Sequence, residues 1–214
     1  MAKFVLACEG VTDQIVIENI LCGFYKDYDD LDEEIQALQP PFDATNKKQL
    51  EGEFGGWEML LEYLSQKRFR DDVLNSEYII IQIDTDISEH INFGVTQQNL
   101  STEELIEKVI ERLIAQIDSK EAFYEEYKSK IIFAISVHSL ECWILPIYKN
   151  FKNEKVSGCF ETLQRESKNI KVTKSYKTYD KLTQDFLKHK KLMKLVLKNS
   201  SFQIFIDALP SEIE

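Results

Sequence analysis

Three apolar runs stand out along the chain: "KFVLAC" (3–8), "YIIIQID" (78–84) and "KIIFAISVH" (130–138), with Gln82 interrupting the second. Short, near-continuous runs of this kind predict strands buried on both faces, as in a parallel sheet covered by helices. Elsewhere the apolar spacing shifts to three and four residues. "QIVIENILCGFY" (14–25) puts Val16, Ile17, Ile20 and Leu21 on one helical face, with Thr12 or Asp13 available as a cap. "GGWEMLLEYLSQKRF" (55–69) predicts one helix after a Gly-Gly turn, and "STEELIEKVIERLIAQI" (101–117) opens on Ser101 and Glu104 in capping-box spacing. "SLECWILPIYKNF" (139–151) predicts a helix that Pro146 kinks or stops, and helical patterns return over 179–198 and 201–213. Residues 26–53 are polar, contain Pro40-Pro41 and lack a period, which predicts a loop with at most a weak strand; 87–100 also predicts a loop.

Strands alternating with helices predict an α/β fold: a mostly parallel, Rossmann-like sheet over 1–148, flanked by helices, and a helical extension over 149–214. The length of 214 residues and the apolar share of 43% suit one such domain. No run approaches the roughly 18 apolar residues of a membrane span. The opening "MAKFVLACEG" turns acidic too early for a signal peptide, so a cytoplasmic protein is expected. Cys8, Cys22, Cys142 and Cys159 form no C-x-x-C and are expected as buried free thiols. The three histidines lack ligand spacing, and zinc is not expected. Trp57 and Trp143 are expected in the core.

The net charge of −11 hides a segregation. Residues 149–198 hold 14 Lys and Arg against 5 Asp and Glu, so that segment carries +9 and the remainder −20. An acidic body discourages indiscriminate binding to nucleic acid, whereas one basic segment still binds locally. Within it Arg165, Lys168, Lys171, Lys174 and Lys177 recur at every third position, with Tyr176 and Tyr179 between them. Such a strip is a solvated face, a row of contacts to backbone phosphates or a surface for a protein partner.

Acids follow each strand: Glu9-Gly10 after the first, Asp84-Thr85-Asp86 after the middle one, and Glu141 shortly after the last. Parallel strands align their carboxyl ends, where α/β sheets build sites, so these acids should converge. Converging carboxylates repel unless a hard cation sits among them, which points to one or two Mg²⁺ or Mn²⁺ ions. A hydrolase triad from the neighbours His138, Ser139 and Glu141 is set aside, because no G-x-S-x-G turn accompanies them.

"FVLACEGVTD" followed some seventy residues later by "IIIQIDTDIS" resembles the TOPRIM domain of topoisomerases, bacterial primases, small ribonucleases and OLD-type nucleases. "SVHSLECWILP" looks like the S-x-E-x-W segment of stand-alone TOPRIM proteins from phage-defence loci. The resemblance covers roughly residues 3–145. It implies Glu9 as general acid/base or metal ligand, Asp84 and Asp86 as magnesium ligands, Asp13 and Glu89 as further acids, and Glu141 as a fourth catalytic acid. It further implies a nuclease acting on RNA, tRNA among it, or DNA, serving as a toxin-like effector of antiviral defence. A partner ATPase or sensor would restrain it, and homo-oligomers are compatible. Two alternatives stay open. "IIIQIDTDIS" also resembles the D-x-D strand of haloacid-dehalogenase phosphatases, with Asp84 as nucleophile and Asp86 as acid. A non-catalytic TOPRIM-fold binding subunit is the other.

Overall fold

The computed structural model describes residues 2–43, 48–49 and 56–213. Strands β1 (Ala2–Ala7), β2 (Ile35–Gln39), β5 (Ser76–Asp84) and β6 (Ile131–Ser136) form one all-parallel sheet in the order β2-β1-β5-β6. A two-stranded hairpin, β3 (Phe42–Asp43) with β4 (Lys48–Gln49), stands apart from it. The helices are α1 (Val11–Phe24), α2 (Trp57–Leu64), α3 (Lys67–Leu74), α4 (Thr102–Ile117), α5 (Tyr124–Tyr127), α6 (Glu141–Ile144), α7 (Cys159–Glu166), α8 (Tyr176–Leu182), α9 (His189–Val196) and α10 (Ser200–Asp207). The α/β class with a parallel sheet therefore holds.

The pleat divides the strand residues between two cores. Phe4, Leu6, Cys8 and Ile80 join α1, Trp143 and the C-terminal helices on one face; Val5, Ala7, Ile79, Ile81 and Ile83 join α2, α3 and α4 on the other. The residues after 148 thus supply part of the layer that covers β1 and α1. The fit against α1 is close: a Cβ at Gly23 would lie 1.8 Å from the Phe186 carbonyl oxygen.

Several local expectations need correction. The weak strand of 26–53 is β2, paired along β1, while residues 44–47 and 50–55 lie outside the described ones. Gly10, not Thr12 or Asp13, caps α1, with no side-chain cap; its carbonyl accepts from the Asp13 and Gln14 N–H groups. The single helix of 55–69 is two, α2 and α3, because Gln66 is extended and caps the second. The helix of 139–151 is short: α6 passes into a 3-10 turn, Leu145–Ile147, at Pro146. The helix of 179–198 is split into α8 and α9; the Thr183 hydroxyl donates to the Tyr179 carbonyl where α8 ends. Helix α7 had no counterpart in the pattern. The capping box of Ser101 and Glu104 is present at α4.

The cysteine expectation fails for one pair. Cys142 and Cys159 form a disulfide between α6 and α7, and only Cys8 and Cys22 are free thiols. Both bridged cysteines are buried hydrophobes by environment, and only the packing of α7 on α6 reveals that they meet. Trp143 is fully buried and stacked on Phe202, while Trp57 is half-buried against His90 and Phe93.

Candidate active site

The strand order fixes where a site can form. From β1 the chain runs outward to β2, then crosses back to β5 on the other side of β1, so the order reverses between β1 and β5. In open α/β sheets the crevice at the carboxyl ends beside such a reversal is where ligands bind. Glu9 leaves the end of β1 and Asp84 is the last residue of β5. They meet there: Glu9 Oε2 accepts from the Asp84 N–H at 3.4 Å.

Asp84 is fixed from three sides. Its Oδ1 accepts from the Ser136 hydroxyl at 2.5 Å, the Leu140 N–H at 3.0 Å and the Gln82 amide at 3.0 Å. Ser136 is the register partner of Asp84 across the β5–β6 ladder, and Gln82 lies two residues back on the same face. Gln82 is fully buried; its amide also donates to the Ser136 hydroxyl, and its oxygen accepts from the Glu9 N–H. One amide therefore links all three strand ends, and Oδ2 of Asp84 makes no hydrogen bond among the described residues. The adjoining turns are interlocked as well. The Asp86 N–H donates to the His138 carbonyl at 3.0 Å, and the His138 N–H donates to the Thr85 hydroxyl at 2.7 Å. His138 takes a left-handed conformation, with φ of 66°, a strain that clusters at functional sites.

Asp13, Asp86 and Glu141 lie near enough to this pair to act on it electrostatically. Glu141 opens α6, is buried, and accepts a hydrogen bond from the Tyr179 hydroxyl of α8. Asp13 turns back over Gly10: a Cβ there would sit 3.0 Å from its Oδ2. Burial pushes the Glu9 carboxyl up to about 7, with Asp86 and Glu141 adding to the rise, while the Asp84 N–H and Lys174 oppose it. Burial also drives Asp13 and Asp84 well above their usual range, and neighbouring carboxylates act in the same direction. Asp86 is raised by burial, against the pull of His138 and Lys174. Asp84, Asp86, His138, Glu141, Glu161 and Lys174 all border a cavity of about 210 Å³.

Not every expected residue joins. Glu89 is exposed, accepts from the Gln97 N–H and does not border the cavity. Of the basic strip only Lys174 reaches the cavity, with its ammonium 5.5 Å from the Phe160 ring centre. Arg165, Lys168, Lys171 and Lys177 are exposed and lie on α7, on the connection after it and on α8, so they share no helical face. Tyr179, expected beside the lysines, points inward to Glu141. Gln82, Ser136 and Tyr179 were not anticipated as site residues. For Gln82 the signal was available, a lone amide in an apolar strand two residues before a carboxylate.

The Tyr179 contact is testable. Tyr179→Phe leaves the buried Glu141 carboxylate without this donor, and about 1–3 kcal/mol of stability is expected to be lost in thermal melts. Adding Glu141→Leu should recover part of it; a double variant no more stable than the single one would refute the account.

The carboxylates at this edge offer oxygen donors, which Mg²⁺ and Mn²⁺ take, and His138 stands beside them. Among the described residues no three His, Cys, Asp or Glu side chains already converge as a ligand group. An ion at this edge would have to be held through one or two carboxylates with water completing its shell, a common mode for magnesium. No protein-family model, curated protein or solved structure matches the chain. Among the described residues no helix is long and apolar enough to cross a membrane.

Proposed function

We propose that the chain is a divalent-metal-dependent nuclease of TOPRIM type, cleaving phosphodiesters of RNA, tRNA among it, or of DNA. The observation that carries this reading is the meeting of Glu9 with Asp84 at the sheet's reversal point, where Glu9, Asp13, Asp84 and Asp86 each hold a proton more tightly than usual. Such a set is costly unless protons or a cation compensate it, since two unit charges 4 Å apart at an effective dielectric of 20 repel by about 4 kcal/mol. Asp84 and Asp86 would hold the ion, with Glu9 beside them. When bound, the ion would polarise a phosphate and acidify a water. Glu9, pushed to about 7, suits a group that takes or gives a proton near neutrality. Lys174 would face the phosphate's charge across the cavity, and Gln82 and Ser136 keep Asp84 in place. A phosphatase using Asp84 as nucleophile leaves Glu9 without a task, so the nuclease reading is preferred. The effector role and the restraining ATPase or sensor come from the resemblance alone. The cytoplasmic location draws no support from the Cys142–Cys159 bridge, a feature of oxidising compartments.

The test is direct. Wild-type protein is incubated with mixed tRNA, plasmid and single-stranded DNA, with and without Mn²⁺, beside Glu9→Ala. At least one substrate is expected to be cut only with metal and only by the wild type. Cleavage of none, or equal cleavage by Glu9→Ala, would overturn the reading; a phosphorylated Asp84 would replace it with the phosphatase.

A further inference from the structure

A second cavity, of about 290 Å³, lies at the start of α10 and differs in character from the acidic edge. Lys152, Lys155 and Lys198 line it, and none of the three forms an ion pair among the described residues. Its lining includes the N-terminus of an eight-residue helix, where the helix dipole favours an anion. An internal carboxylate already uses that preference. Glu154 accepts from the Ser200 N–H at 3.0 Å and from the Ser200 hydroxyl at 2.7 Å. The neighbouring Asn199 is 2% exposed and caps the helix through Oδ1, which accepts from the Phe202 N–H at 2.9 Å and from the Ser201 hydroxyl at 2.8 Å. Among the described residues its Nδ2 has no hydrogen-bond partner, although Asn199 borders the cavity. A buried donor without an acceptor is rare and costly, and calls for an acceptor from water, an ion or a ligand.

We propose that this cavity binds a phosphate group. Its oxygens would take the place of the Glu154 carboxylate at Ser200 and accept from Asn199 Nδ2, while the three lysines balance its charge. This site does not depend on the acidic edge being catalytic. Cys142 borders it and the bridged Cys159 borders the acidic cavity, so the two pockets lie on either side of one disulfide. A free phosphate and a backbone phosphodiester share the required chemistry, and the experiment separates them.

Amide resonances of the full chain are followed during titration with inorganic phosphate, and separately with a short oligonucleotide lacking terminal phosphates. Binding that shifts Ser200 is expected in at least one arm: the first identifies a free phosphate, the second a strand phosphodiester. Asn199→Asp keeps an equally good cap but exchanges the lone donor for a charged acceptor facing the phosphate, and should weaken that binding by about tenfold or more. Lys198→Gln, at an exposed position, should weaken it without affecting the fold. Glu154→Ala should strengthen it several-fold by removing the competing carboxylate. The proposal is overturned if neither ligand shifts Ser200, or if affinity is the same in wild type, Asn199→Asp and Glu154→Ala.

Discussion

The metal-free protein is expected to lose on the order of 3 kcal/mol of stability as pH rises from about 5 to about 8, and millimolar Mg²⁺ is expected to restore most of it. The sign follows from Glu9. Its folded-state value of about 7 lies above the ordinary 4.5, so the folded chain holds that proton more tightly than the unfolded one. The associated stability is complete below the ordinary value and disappears as pH climbs through the folded value. Asp13, Asp84 and Asp86 are raised as well and act in the same direction. Glu166 and Asp185 behave oppositely: Lys149, and Lys188 with Lys191, hold them low, so their contribution is lost only at acidic pH, outside this window. A cation that binds only the ionised cluster stabilises the folded state by mass action. For a chain of this size the swing corresponds to a shift of about 6–12 °C in thermal midpoint, read by melting at several pH values with and without the metal. Flat midpoints from pH about 5 to 8 would show that the cluster is solvated and uncoupled.

Asp84→Asn is expected to have the largest effect on chemistry. Asparagine keeps the shape of the side chain and an oxygen that accepts from Ser136, the Leu140 N–H and Gln82. What it removes is one negative charge, from a carboxylate that accepts three hydrogen bonds. Loss of metal-dependent cleavage by about 10³-fold is expected, since both ion binding and charge stabilisation at the phosphate depend on that charge. Stability of the metal-free variant near pH about 8 should rise, because one source of mutual repulsion is gone. Opposite movement of activity and stability separates a functional charge from a structural one. A variant that lost both would show that Asp84 serves the fold.

The sequence made the fold class legible because β1, β5 and β6 are buried on both faces and so read as continuous apolar runs. It also placed Glu9, Asp84, Asp86 and Glu141 at one edge, because parallel strands end together. β2 was faint: unlike β6, the other edge strand, it buries Gln39 but only partly covers Ile35, Ala37 and Leu38, and "IQALQ" carries little apolar signal. The breaks in the longer helices depend on side chains bonding to local backbone, as at Thr183, which a periodicity does not record. The partners of Asp84 and Glu141 were hidden because they act through tertiary contact. Ser136 is identified only by the β5–β6 register and Tyr179 only by the docking of α8. The lysine spacing was regular in sequence but not in space, since the chain between α7 and α8 is neither helix nor strand.

Calorimetric titration of Mn²⁺ into the protein near pH about 8, with Asp84→Asn alongside, bears most directly on the carboxylate edge as a cation site. Saturable uptake that Asp84→Asn abolishes, and that weakens as pH falls below about 7, is the predicted result. Absence of uptake by the wild type at millimolar metal, or uptake unchanged in Asp84→Asn, would contradict it.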